Sequence, residues 1–236
     1  MKRSVNFSFH HMIRIPEPEL MEDLIQVESY AKADFETAHS FLIRKFQDRL
    51  PQRFAPESIL DLGCGPGDMS SRLYSQFPMA NFTFLDGSEF MIDLCKKRIE
   101  TMVPKKRNNK IDFKKELIQD FVPESPYDLV FSNSLLHHLQ DPFEFWAAVQ
   151  RSIHQDSFIF ISDLMRPDSF FSANQLTKHY ANEEFEILKK DFYNSLLAAY
   201  RIEEVKEMLE IVRLDTKMNL EPISDRHWIC YSKQRN

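Results

Sequence analysis

Three of the four glycines in this 236-residue chain stand at alternate positions, Gly63, Gly65 and Gly67, and the fourth, Gly87, lies shortly after them. A chain of this length carries roughly sixteen glycines on average. Glycine is therefore concentrated where a missing Cβ permits positive φ or lets a ligand lie against the backbone. The run reads Leu60-Asp61-Leu62-Gly63-Cys64-Gly65-Pro66-Gly67-Asp68. An apolar strand leads into it, and Met69, Leu73 and Phe77 leave it at helical spacing. A strand, a glycine turn and a helix N-terminus make a cofactor site, because unpaired N–H groups there face the ligand. The dinucleotide fingerprint G-x-G-x-x-G would need glycine at position 68, which is Asp. The carboxylate of Asp61, just before the turn, is a poor neighbour for a pyrophosphate and a good one for an ammonium group. Spacing and charge favour S-adenosylmethionine, which has no phosphate and carries an α-ammonium, over NAD.

His137 and His138 follow an apolar run and are the first candidates for a catalytic base. The competing reading has them packing on Leu135 and Leu139. Asp225-Arg226-His227 is read as a hairpin turn. Three widely spaced cysteines, Cys64, Cys95 and Cys230, point to reduced thiols, with no disulfide framework and no paired metal-ligand motif. No metal is expected.

The elements that must position these residues alternate. Glu17 to Leu50 reads as helix, with Phe35, Ala38, Leu42 and Phe46 as an apolar stripe. Strands follow at 58–62, 81–85, within 110–118 (weaker, diluted by lysines), 127–132 and 157–162, with helices between. After the fifth strand comes a mostly helical insertion at about 164–200, then a helix carrying Ile202, Val205, Met208, Leu209 and Val212. Two closing strands, 217–223 and 227–231, complete the chain. This order predicts a doubly wound α/β sheet with ligands beyond the carboxyl ends of the strands. Asp61 to Gly67, Asp86, Asn133 and Asp163 all fall there. Residues 1–54 are expected to form a helical cover and 55–236 the main domain.

The segment from 55 to 162 resembles the class I S-adenosylmethionine-dependent methyltransferases. Leu60 to Gly67 matches the family's first motif, and Phe84-Leu85-Asp86-Gly87-Ser88-Glu89-Phe90-Met91 is similar to its second. Asp128 to Leu139 resembles the fourth-strand motif of the small-molecule branch. The resemblance implies a Rossmann-like seven-stranded sheet, mostly parallel with an antiparallel last strand. It also implies a cofactor site of Asp61, Gly63, Gly65, Gly67, Asp86, Gly87, Ile118, Asp120 and Asn133, with Asp86 accepting both ribose hydroxyls. The family's acidic residue after strand three is replaced by Leu117-Ile118, so Asp120, Gln119 or backbone is left to meet the adenine amine. His154-Gln155-Asp156 stands where relatives use a Pro-Gly turn and is read as a loop. Relatives carry acceptor-binding elements on the insertion, which makes Tyr180, Asp191, Tyr193 and Asn194 candidates, Tyr193 also for catalysis. From the N-terminal segment, Tyr30 and Arg14 are candidates to close over the site. Arg14 is read either as pairing the cofactor carboxylate or as a solvated arm.

A formal charge of −6 gives no general attraction to nucleic acid or anionic membrane. A basic cluster, Lys105, Lys106, Arg107, Lys110, Lys114 and Lys115, is read as a solvated loop. The N-terminus lacks the apolar stretch of a secretory signal, and no run reaches membrane-span length; a soluble, cytoplasmic protein is expected. Asn133-Ser134-Leu135-Leu136 lacks the Asn/Asp-Pro-Pro-aromatic motif of base-amine methylation. The expected reaction is methyl transfer to a small molecule. An RNA- or protein-directed methyltransferase is the second reading, and a non-catalytic module whose cleft is filled by Phe170, Phe171 or Phe192 is the third.

Overall fold

In the computed structural model of the chain, residues 12–18, 20, 26, 29–30, 33–104 and 109–234 are described. Lys105, Lys106 and Arg107 of the basic cluster lie outside them, as does part of the N-terminal segment. Seven strands form one sheet: β1 Ser58–Leu62, β2 Asn81–Asp86, β3 Ile111–Lys115, β4 Tyr127–Asn133, β5 Ile153–Leu164, β6 Met218–Pro222 and β7 His227–Ser232. Their spatial order is β3-β2-β1-β4-β5-β7-β6, and β7 alone runs antiparallel to its neighbours. The chain turns back across the sheet between β1 and β4, the switch point at which open sheets of this kind bind ligands.

Both faces of the sheet are covered, because alternate residues of each central strand point to opposite sides and both sets are apolar. Leu60, Leu62, Val130, Ile159 and Ile161 pack on one side with Trp146, Phe145 and Trp228. Ile59, Leu129, Phe131, Phe158 and Phe160 pack on the other. Phenylalanine dominates that second side. Phe131 stacks on Phe160 at 5.8 Å, and Phe46 meets them edge-on at 5.5 and 5.1 Å. Phe46 belongs to α1, Glu36–Gln47, so this helix is anchored in the core of the sheet.

The other helices are α2 Asp68–Gln76, α3 Glu89–Glu100, α4 Pro142–Arg151, α5 Phe170–Tyr180, α6 Glu186–Ala198 and α7 Ile202–Ile211. Local chemistry sets their starts. Asp141 accepts from the Phe143 N–H with Pro142 at the first helical position, and Ser169 caps α5 through the Ser172 N–H. The expected helix from Glu17 to Leu50 is not continuous: residues 12–18 are non-helical, residues 26, 29 and 30 are helical, and after a break at 33–35 α1 runs from Glu36. Pro16 and Pro18 have no N–H for a helical ladder. The strap instead runs across α6, where the Ile15 N–H donates to the Leu197 carbonyl. The loop expected at 154–156 is instead the exposed first part of β5, where pairing with β4 shifts register between Tyr127 and Leu129 and His154 Nε2 lies 3.1 Å from Asp128. No described helix is long and apolar enough to cross a membrane.

Candidate functional site

A cleft of about 270 Å³ opens at the carboxyl ends of β1, β2 and β4. Its floor is the glycine turn. Gly67 has φ +87°, and a Cβ there would stand 2.8 Å from the Cα of Cys95, so only glycine lets α2 pack this close to α3. Gly65, at φ +53°, has nothing within 4 Å of where its Cβ would be. Among the described residues no atom fills the space beside it, which belongs to the cleft.

Asp86 ends β2 and closes over that turn. One carboxylate oxygen accepts from the Gly65 N–H and the other from the Ser88 N–H, both at 2.9 Å. Each oxygen keeps a lone pair for a further donor. Burial pushes its pKa up, against those two hydrogen bonds. Asp61, in β1, is buried and 2.5 Å from Ser70 Oγ. Burial raises its pKa to about 7, against the Ser70 hydrogen bond and with the charge of Asp86 adding to the rise. Two desolvated carboxylates in one cleft attract donors and cations.

The loop between β3 and β4 forms one wall, with Glu116, Leu117, Ile118 and Gln119. Arg151 of α4 holds it, donating to the carbonyls of Phe121, Ile118 and Gln119 at 2.7, 2.7 and 3.2 Å. Asn133, Ser134 and Leu135 line the end of β4; Ser134 is held at φ +56°, and its N–H donates to Ser162. Tyr30, Phe35 and His39 line the facing side, with ring centroids 4.9 and 5.1 Å apart along the series. His39, Arg72 and Arg98 converge on Asp68, the first residue of α2, at 2.5, 3.1 and 2.8 Å. The His39 bond, followed by the Arg72 contacts, holds the Asp68 carboxyl well below the usual range although burial opposes it.

Of the residues singled out from sequence, Asp61, Gly63, Gly65, Asp86, Gly87, Ile118, Asn133, Tyr30 and His138 line this cleft. Gly67 lies beneath it. Asp120 is exposed and outside the lining, which leaves Gln119 and backbone beside the loop. Arg14 is neither solvated nor in the cleft. Its guanidinium donates to the carbonyls of Ala198, His137 and Leu139 at 2.6, 2.9 and 2.9 Å and lies over the Tyr200 ring. Tyr180 donates to Asp225 2.9 Å away, beneath Arg226, and Tyr193 packs with Met12, Ala173 and Leu197. Asp191 and Asn194 on α6 are also outside the lining. Phe170 and Phe171 are exposed and Phe192 packs near Leu164 and Leu196, so none of the three fills the cleft. Lys110 is paired with Asp112, and neither it nor Lys114 nor Lys115 borders the opening.

The two histidines part company. His137 is buried, and its Nδ1 donates to Asp163 Oδ1 at 2.5 Å. The Asp163 and Glu17 charges raise its pKa against burial. His138 lines the cleft, and burial, with the His137 charge, lowers its pKa to about 3. Glu17 of the strap joins them, with Oε1 2.9 Å from Ser195 Oγ, 3.5 Å from His137 Nε2 and 3.2 Å from His138 Nδ1. Asp163 was legible as the residue ending a strand. Glu17 was not, since nothing in its sequence says where the strap lies.

A doubly wound sheet with a glycine turn, an acidic residue ending β2 and a cleft at the switch point is the architecture of a Rossmann-like nucleoside-cofactor-binding protein. The methyltransferase-domain family model matches residues 54–214, and the chain belongs to that family. S-adenosyl-L-methionine is its cofactor. Among curated proteins the chain is 36% identical over 84 residues to malonyl-[acyl-carrier protein] O-methyltransferase 2 of Ilyobacter polytropus, covering 36% of this chain and 30% of that one. It is 28% identical over 156 residues to trans-aconitate 2-methyltransferase of Acidovorax sp. (strain JS42), covering 61% and 57%. The matches thus span about a third to somewhat over half of those relatives' lengths. Among solved structures, the plantazolicin methyltransferase BpumL in complex with a triazolic desmethylPZN analog and SAH superposes with a TM-score of 0.64 at 18% identity, over 89% of this chain and 91% of that one. A SAM-dependent methyltransferase from Aquifex aeolicus gives 0.61 at 14%, over 90% and 98%. At such identities these two show the shared fold.

Proposed function

We propose that this chain transfers the methyl group of S-adenosylmethionine to a small-molecule acceptor that enters between the cofactor floor and the N-terminal elements. The observation carrying this reading is the single cleft in which Asp61, Gly65 and Asp86 face Tyr30, Phe35 and His138. When bound, the cofactor supplies an electrophilic methyl on a sulfonium. The chain's part is to hold, orient and desolvate. Asp86 takes the ribose hydroxyls on its spare lone pairs, Asp61 meets the α-ammonium, and the wall from Leu117 to Gln119 flanks the adenine. Much of the acceleration in such a transfer comes from orientation and excluded water. His138 gives that economy a reason: its ring hydrogen-bonds Pro18 and its Nδ1 faces Glu17, so neither nitrogen is turned over to an acceptor proton. A cytoplasmic setting fits the three free, buried cysteines.

Calorimetric titration with S-adenosylmethionine, S-adenosylhomocysteine and NAD in parallel tests the cofactor half. The two adenosyl ligands bind and NAD does not; in Asp86→Ala, losing two charge-assisted hydrogen bonds weakens binding about 100-fold or more. Unchanged affinity in that variant removes the ribose placement. An acceptor screen read by S-adenosylhomocysteine formation follows. It starts with small carboxylic acids and modified peptides, because the similar proteins are named for malonyl-acyl-carrier-protein, trans-aconitate and plantazolicin.

A further inference from the structure

Glu17 stands 120 residues before the adjacent His137 and His138, and the three meet where the strap crosses the cleft wall. One ligand atom from each lies within 4.8 Å of the others. We propose that these three residues bind a divalent transition-metal ion that clamps the N-terminal strap to the domain.

Spacing, tautomers and charge carry the inference. Zinc-type ions bind imidazole nitrogen and carboxylate oxygen at about 2.0–2.1 Å, so neighbouring tetrahedral donors stand roughly 3.3 Å apart. Glu17 Oε1 is 3.2 Å from His138 Nδ1 and 3.5 Å from His137 Nε2, both long for a hydrogen bond to carboxylate and right for two donors sharing an ion. The proton of each ring is fixed on the other nitrogen. His137 donates from Nδ1 to Asp163, the outer carboxylate of a carboxylate–histidine–metal arrangement. His138 bonds the Pro18 carbonyl, while its Nδ1 is buried with no hydrogen-bond partner among the described residues. A neutral nitrogen lone pair and a carboxylate oxygen at that distance repel unless positive charge lies between them. The surroundings want that charge: Glu17, Asp163 and Asp191 act on the site against the guanidinium of Arg14, which is already held on carbonyls. Two imidazoles and one carboxylate suit Zn²⁺, Co²⁺, Fe²⁺ or Ni²⁺ better than Mg²⁺ or Ca²⁺.

The test is titration of the full chain, stripped with a chelator, with Co²⁺, followed by visible d–d absorption and competed with Zn²⁺. Wild type takes up one equivalent with the intense bands of a low-coordinate site. Glu17→Gln and His138→Gln lose those bands, and Asp163→Asn binds about 10- to 100-fold more weakly. His137 is too buried to substitute safely. The Glu17 and His138 variants, each checked by circular dichroism, keep the test open. Absence of the bands in wild type overturns the proposal and leaves a shared proton between Glu17 and His138. Equal binding by wild type and both variants overturns it too, placing the ion on other histidines. Asp86→Ala retains the metal while losing the cofactor, so the two readings fail separately.

Discussion

Replacing Asp61 with Asn should abolish a pH dependence of cofactor binding that the wild type shows strongly. Asp61 is buried beside Ser70, and its pKa stands at about 7 because burial disfavours the charged form. At about pH 5, two units below that value, roughly one free molecule in a hundred carries the carboxylate. An α-ammonium that needs the charge then binds about 100-fold more weakly than on the plateau above pH 7, tenfold per unit. The same group is linked to stability with a definite sign. A carboxyl with a raised folded-state pKa contributes stability that is fully present below its ordinary value near 3.8 and is lost as pH rises toward 7. Removing the carboxyl therefore makes the ligand-free protein more stable near neutrality while weakening its ligand. Calorimetry with S-adenosylmethionine and S-adenosylhomocysteine at fixed ionic strength from about pH 5 to 8 reads the first effect, and denaturant unfolding reads the second. A flat wild-type affinity profile, or an Asp61→Asn variant with the wild-type slope, refutes the pairing of Asp61 with the ammonium.

Two further outcomes follow from the N-terminal elements. Arg14→Ala removes three hydrogen bonds from a charged donor to carbonyls; it should destabilise the fold by about 2–3 kcal/mol in urea and speed proteolysis within residues 12–18. A solvated arm would show neither change. Phe46→Ala should cost about 3–5 kcal/mol, the range for a buried aromatic, because its ring is fully enclosed against Phe131 and Phe160. A loss below about 1 kcal/mol would mean that α1 is dispensable to the sheet.

Residues 55–162 were legible because their signals are local. Glycine at 63, 65 and 67 and an acid at 86 act within a few residues of themselves, and the alternation of apolar strands fixes both faces of the sheet without long-range information. The order and sense of the strands, and the adjacency of Asp61, Asp86 and Asn133, follow from that alternation together with the handedness of parallel crossovers. Residues 12–18 and 164–200 were not legible in this way. Tyr180, Tyr193 and Asn194 have the chemistry of a pocket, but α5 and α6 turn them onto Asp225, onto Met12 and away from the cleft. Arg14 has the charge for a cofactor carboxylate, yet the ends of α6 and of the short 3-10 turn at Leu136–His138 leave carbonyls of Ala198, His137 and Leu139 to hold it. His39, Arg72 and Arg98 gather on Asp68 only because three separate helices converge. The sequence by itself determined the strand-end residues that line the floor of the cleft, since backbone conformation and strand-end chemistry are short-range. Tertiary packing alone decided where the side chains of residues 12–18 and of α5 and α6 point and the meeting of Glu17 with His137 and His138, because where a strap without regular structure comes to rest depends on every surface it crosses.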